Sequence, residues 1–86
     1  MANAVSKQPP TVFDTGYYRI EFQGNLSESW KEVVDGMHYQ VRFDDSGSAV
    51  TELRGEIVDQ AALFGLLSLI YDLGMPLLFV ERVADA

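Results

Sequence analysis

Apolar and polar residues alternate in three separate segments of the chain. In residues 17–23, every second residue from Tyr18 onwards is apolar, and the same period of two recurs in residues 37–43 and 49–57. Successive side chains of a strand point to opposite faces of the sheet. Each segment therefore predicts a strand with one buried face and one solvated face.

The segment that ends at Pro76 has the period of a helix instead. Asp59 can accept a hydrogen bond from a free N–H group of the first turn, and it stands at the positive end of the helix dipole. Gly74 accepts a left-handed backbone and Pro76 cannot donate a hydrogen bond, so both mark the end of the helix. We predict a helix over residues 60–73, with Asp59 as its N-cap.

Apolar residues occupy more of this helix than one sheet face can cover. The residues of the apolar arc are Ala62, Leu63, Leu66, Leu67, Leu69, Ile70 and Leu73. Phe64 and Tyr71 extend the arc at one edge, and small residues fill most of the remaining stripe. Gly65 within this stripe has two open readings, a close packing contact or a solvated position. The predicted interface residues are Ala61, Phe64, Gly65, Ser68 and Tyr71.

Two further segments complete the predicted secondary structure. Residues 28–35 form a short predicted helix with Ser27 as its cap, and Trp30 in it is a core or interface anchor. Residues 77–83 form the last predicted strand, which begins with four consecutive apolar residues. Such a run is typical of a strand that is covered on both faces. We therefore expect this strand inside the sheet or against a partner on its outer side.

The predicted elements follow the order β-α-β-β-α-β. This order predicts an α+β fold, namely a ferredoxin-like split β-α-β sandwich with a four-stranded antiparallel sheet and two helices on one face. The first connection, residues 26–36, is close to the lower limit of about 10 to 12 residues for such a crossover, so a three-strand meander followed by helix and strand remains the alternative. The predicted domain is residues 15–83, between a flexible N-terminal arm (1–14) and a C-terminal tail (84–86).

The core that 86 residues can form is small. Domains of fewer than about 80 ordered residues often add disulfides, a metal or oligomerisation. The chain has no Cys and one His, which excludes disulfides and argues against a zinc cluster. Together with the excess apolar surface of the helix, this predicts a homodimer.

Residues 55–80 follow the pattern G-x-(V/I)-x-D-Q-A-A-L-x-G-L-L-x-x-I-x-D-L-G-(L/M)-P-L-L-x-V. In this pattern, and more weakly in residues 24–27 (G-N-L-S) followed by Trp30, the chain resembles a family of short, functionally uncharacterised bacterial proteins. Members often have His where this chain has Phe64 and Arg where it has Tyr71, so any site that depends on those side chains is absent here. The resemblance supports the fold and implies no activity.

Charge restricts the classes of partner. Thirteen acidic and six basic residues give a net charge of -7, and the basic residues are scattered singly, which is opposite to the field that nucleic acid attracts. There is no basic cluster for a membrane surface, no apolar run of about 18 residues and no pattern typical of a signal peptide. We expect a cytoplasmic protein that binds neither nucleic acid nor membrane.

Motifs for common enzyme chemistry are missing from the sequence. It contains no dinucleotide or phosphate-binding glycine motif, no nucleophile elbow and no thiol. His38 lies on the polar face of a predicted strand, where a solvated side chain is expected. Asp44 and Asp45 fit a turn better than a calcium site, since further ligands at set positions are missing. We predict no catalytic residue, no metal ligand and no cofactor.

The polar positions of the first three strands would form a mixed-charge outer sheet face with cross-strand ion pairs. These positions are Arg19, Glu21, Gln23, His38, Gln40, Arg42, Glu52, Arg54 and Glu56. The sequence as a whole predicts a non-enzymatic interaction module that forms a homodimer, with an unidentified protein as a further candidate partner. The alternative is an ACT-like small-ligand-sensing regulatory domain, which rests on analogy of fold.

Overall fold

The computed structural model describes residues 9–27, 30, 32, 34 and 36–83. Within these residues the chain forms four strands and one α-helix. In chain order they are β1 (Gly16–Gln23), β2 (His38–Phe43), β3 (Ala49–Ile57), α1 (Gln60–Asp72) and β4 (Leu77–Val83). The four predicted strands and the long helix are confirmed, because local periodicity determines where each element begins and ends.

The strands form one antiparallel sheet in the order β2-β3-β1-β4. β1 pairs with both β3 and β4, while β2 pairs with β3. The α+β class and the four-stranded antiparallel sheet are therefore confirmed. The meander alternative is wrong, since it requires β1 beside β2, and β3 lies between them. The connection through α1 carries the chain from β3 past β1 to β4.

The predicted short helix over residues 28–35 lies largely outside the described residues, so the two-helix arrangement is not confirmed. Two backbone hydrogen bonds are described in this region. The Trp30 N–H donates to the Ser27 carbonyl at 3.0 Å, and the Val34 N–H donates to the Trp30 carbonyl at 3.3 Å. Val34 is buried in the core. Trp30 is partly buried and packs against the core, as expected of an anchor.

One face of β1 and β3 supplies most of the core, and α1 covers it. The buried apolar residues of the cluster are Tyr18, Ile20, Phe22, Leu26, Val34, Leu53, Ile57, Leu63, Leu66 and Ile70. Thr51 is also fully buried on this face, and its hydroxyl donates to the Gly24 carbonyl at 2.6 Å. The predicted inward positions of β1 and β3 are thus correct.

The start of α1 is held by a side chain and by the preceding chain. The Asp59 carboxylate accepts from the Ala62 N–H at 2.8 Å, which confirms the predicted cap. The Gln60 N–H donates to the Val12 carbonyl at 3.0 Å. Residues 11–14 of the predicted flexible arm therefore form a turn that contacts the helix, whereas residues 1–8 and the predicted tail 84–86 lie outside the described residues.

Candidate interaction surface

Three residues of α1 are buried, and they occupy one narrow side of the helix. These are Leu63, Leu66 and Ile70. The predicted apolar arc is wider than this side, so its flanks are open to solvent: Leu69 and Leu73 on one flank, Phe64 and Tyr71 on the other. Phe64 is 61% exposed and Tyr71 is 80% exposed. The predicted excess of apolar helix surface is therefore real in the single chain.

All five predicted interface residues lie on the exposed side of α1. They are Ala61, Phe64, Gly65, Ser68 and Tyr71. A Cβ atom placed on Gly65 would meet no atom within 4 Å. Within the described part of the chain, no neighbour therefore requires glycine at this position.

Strand β4 lies at an edge of the sheet, so the expectation of a strand inside the sheet is wrong. Leu77 and Leu78 are each 48% exposed, and Val80 is 39% exposed. A continuous apolar run fits a buried central strand, but the run itself carries no information about which strands pair. The other predicted possibility, a partner on the outer side of this strand, stays a prediction.

Burial falls off towards β4 along a single row of the sheet. Leu53 of β3, Ile20 of β1 and Val80 of β4 are cross-strand neighbours on the core face. Leu53 and Ile20 are fully buried, while Val80 is more than a third exposed. The β4 side of the core face is therefore left partly uncovered.

Residues 79–82 of β4 contact β1 and the residue before it on both faces of the sheet. On the core face, the Arg82 guanidinium donates to the Thr15 carbonyl at 3.3 Å and to the Tyr18 hydroxyl at 3.5 Å. On the outer face, the Arg19 guanidinium lies 4.4 Å from the Phe79 ring centroid and 3.5 Å from a Glu81 oxygen. The position of β4 in the sheet is therefore set by specific contacts.

Arg19 is the centre of the ion-pair network on the outer sheet face. It contacts Glu52 at 3.4 Å and Glu21 at 3.6 Å, in addition to Glu81. Arg42 contacts Glu21 at 3.0 Å. The predicted cross-strand ion pairs are confirmed. The contributions of Phe79 and Glu81 were missed, because the apolar run hid the alternation of β4.

The register of β1 and β3 explains why one arginine contacts several carboxylates. Arg19 lies directly opposite Arg54, and Glu21 lies directly opposite Glu52. Like charges at directly opposite positions destabilise a strand pair. The ion pairs instead run along the strand and diagonally, so that Arg19 lies between two carboxylates that are largely shielded from solvent. Arg19, Glu21 and Glu52 at the centre of this face are thus paired with one another.

Asp44 closes the turn between β2 and β3. Its carboxylate accepts from the backbone N–H groups of Ser46 and Ser48, each at 3.0 Å, and from the Ser46 hydroxyl at 2.7 Å. These bonds, with one from Gln23, favour the ionised form and lower the Asp44 pKa from 3.8 to about 2. The carboxylate is occupied by the turn, in agreement with the predicted structural role.

Among the described residues, no group of three or more His, Asp or Glu side chains is arranged to hold a metal. His38 is exposed on β2, as expected for a solvated side chain. No helix in the described ranges is long and apolar enough to cross a membrane. The ACT-like alternative stays a prediction.

A family model described as "Domain of unknown function (DUF8691)" matches residues 17–81. The chain therefore belongs to this family, whose matched region runs from β1 into β4 and excludes the N-terminal turn. No curated protein matches the chain, and no solved structure matches it. The expected membership of an uncharacterised family is confirmed.

Proposed function

We propose that this member of the DUF8691 family is a non-enzymatic interaction domain that pairs with a second copy of itself through the apolar surface of α1 and β4. The observation that carries the proposal is the exposure of apolar side chains on these two elements. Phe64 and Tyr71 extend from the helix, and Leu77, Leu78 and Val80 lie on the edge strand. Exposed apolar patches of this kind mark interaction sites in soluble proteins.

Domain size supports the same proposal. The described core is formed by one helix, two strands and part of the first connection, with Tyr39 of β2 packed against it. Domains of this size have a high ratio of surface to buried volume, so covering further apolar surface adds a large share of their stability. A second copy supplies that cover with the same apolar surface, because a two-fold interface is self-complementary.

Three finer expectations from the sequence belong to this proposal. We infer that the first connection contains the second helix of a ferredoxin-like fold, which the strand order and the Val34 to Trp30 hydrogen bond support. We also infer a bacterial source, as the C-terminal pattern suggests, and a cytoplasmic location, as the composition suggests.

Sedimentation equilibrium of the wild-type protein and two surface variants tests the proposal. We expect a dimer at micromolar concentration for the wild type. Phe64→Glu tests α1 and Leu78→Glu tests β4, since a charge in an apolar interface opposes association. Both side chains are exposed in the single chain, so each variant is expected to keep the wild-type circular dichroism spectrum.

Phe43→Glu is the matched control. Phe43 is 70% exposed on the opposite edge strand, β2. We expect this variant to remain a dimer, while at least one of Phe64→Glu and Leu78→Glu becomes a folded monomer. A wild type that stays monomeric at high micromolar concentration contradicts the proposal, and so does a dimer that dissociates only with Phe43→Glu.

A further inference from the structure

The backbone of β4 has a free edge whose hydrogen-bonding groups can be assigned from the sheet register. The Gln23 N–H donates to the Pro76 carbonyl at 2.8 Å, so odd-numbered residues of β1 direct their backbone groups towards β4. Their partners Glu81 and Phe79 point back towards β1. Val80 and Arg82 alternate with Phe79 and Glu81 along β4. Their backbone groups therefore point away from the sheet.

From this geometry we propose that two copies pair along β4, antiparallel, to form one continuous eight-stranded sheet. The inference rests on the proposed self-association and adds the surface and the register through which it occurs. Free strand edges accept a further strand readily unless charge, proline, a bulge or a covering segment prevents it. The register irregularity of β4 lies on the Leu77 side of Phe79, so residues 79–82 keep a regular edge. No backbone hydrogen bond outside the sheet ladder reaches Val80 or Arg82 in the described residues.

Charge selects the register of the two copies. In a two-fold pairing centred on Glu81, Glu81 lies opposite Glu81 of the second copy. In a pairing centred on Arg82, Arg82 lies opposite Arg82 of the second copy. Both arrangements place like charges directly opposite, which destabilises a strand pair. A centre at Phe79 places Arg82 opposite Pro76, which has no N–H group to donate.

A centre at Val80 avoids both problems. Val80 then exchanges backbone hydrogen bonds with Val80 of the second copy, and Glu81 lies opposite Phe79 of the second copy. Arg19 already contacts both of these side-chain types on the outer face of its own chain, so the carboxylate retains its counter-charge at the interface. On the core face, the exposed part of Val80 packs against its copy, which joins the two cores.

Single-cysteine cross-linking tests this register, because the chain has no native Cys. Residues at a hydrogen-bonded antiparallel pair have Cα atoms about 5.5 Å apart, within the range for a disulfide. We expect Val80→Cys to form disulfide-linked dimers under mild oxidation at least about tenfold faster than Phe43→Cys, because association raises its local concentration. Phe64→Cys is measured in parallel as the reporter for a helix-mediated dimer.

A mixing experiment tests the same register without changing Val80. Glu81 and Phe79 of the second copy form a pair in this arrangement, so Phe79→Cys mixed with Glu81→Cys should give mixed disulfide dimers. Each variant alone should cross-link no faster than Phe43→Cys.

The outcomes separate this inference from the proposed function. Rapid cross-linking of Val80→Cys, or of the mixture, supports the paired edge. Edge pairing is overturned if the wild type is a dimer, Phe64→Cys links rapidly, and both Val80→Cys and the mixture link no faster than Phe43→Cys. That result leaves self-association standing. A monomeric wild type overturns both.

Discussion

The two edge strands of the sheet, β2 and β4, are built differently. β2 alternates exposed polar residues, among them His38 and Gln40, with half-buried Tyr39 and Val41. The Tyr39 hydroxyl is hydrogen-bonded to the Asn25 side chain, and the strand continues into the Asp44 turn. β4 instead begins with four apolar residues and leaves several of them exposed.

This difference shows that position at an edge of the sheet does not by itself determine whether a strand stays solvated or pairs with another chain. Charged and polar side chains on a free strand oppose pairing with another chain, whereas an apolar edge favours it. β2 has the first character along His38, Gln40 and Arg42, and β4 has the second along residues 77–80. We therefore expect the proposed interaction at β4, and we expect β2 to stay solvated in the proposed dimer.

Amide hydrogen exchange gives the largest expected contrast between the two edges. The sheet register directs the amides of Val80 and Arg82 to the free edge of β4, and it directs those of Tyr39 and Val41 to the free edge of β2. On raising the protein concentration into the dimeric range, we expect exchange at Val80 and Arg82 to slow by about tenfold or more. Exchange at Tyr39 and Val41 should not change.

NMR at a low and a high protein concentration measures both pairs of amides in each sample. Equal slowing at the two edges would contradict the distinction between β2 and β4. Unchanged exchange at all four amides in a protein that still dimerises would place the interface on α1.

The sequence was sufficient for the strands and for α1, because these depend on local patterns. The alternation in β1 and the N-cap at Asp59 are each contained within a few residues, so they are visible without knowledge of the fold. Pairing partners are not. The exposure of Val80 depends on where α1 lies relative to β4, and that is a property of the packed domain.

The same limit explains what sequence reasoning missed at the candidate surface. Arg19 was assigned to a mixed-charge face, but its contacts with Phe79 and Glu81 require the β1–β4 register. A one-residue irregularity in that register, between Glu21 and Phe22, places Leu77 and not Leu78 opposite Phe22. The run of apolar residues gave no signal for this irregularity.

Removing Arg19 tests how strongly the outer face holds β4 on the sheet. Arg19→Met keeps an apolar stem but leaves Glu21 and Glu52 opposite one another and removes the contacts with Phe79 and Glu81. We expect the free energy of unfolding to fall by about 2 kcal/mol, since carboxylates shielded from solvent lose a shared counter-charge. Urea unfolding at fixed protein concentration measures it.

Arg42→Met is the matched control at the β2 side. Arg42 is more exposed than Arg19 and makes one ion pair, with Glu21. We expect a loss of about 0.5 kcal/mol, as is usual for an exposed pair. Equal losses for the two variants would mean that the outer network stabilises β2 and β4 alike. That result would contradict a difference between the two edges.

The smallest expected effect concerns the turn that carries β2 into β3. The Asp44 pKa is lowered from 3.8 to about 2 by its hydrogen bonds with Ser46, Ser48 and Gln23. A carboxylate whose pKa is lowered on folding stabilises the folded state above its unfolded pKa, and this stabilisation is lost as pH falls through the folded pKa. The contribution is therefore complete above about pH 4 and disappears as pH falls to about 2.

Asp44→Asn removes this ionisation, so the variant should lose less stability than the wild type over that pH interval. The difference between the two unfolding curves isolates Asp44 from the other acidic residues, which titrate in both proteins. Asp45→Asn is the control, because none of the hydrogen bonds in the described turn involves the Asp45 carboxylate. If Asp45→Asn changes the pH dependence as much as Asp44→Asn does, the turn owes its acid sensitivity to net charge, and the local bonding of the β2 edge is not its source.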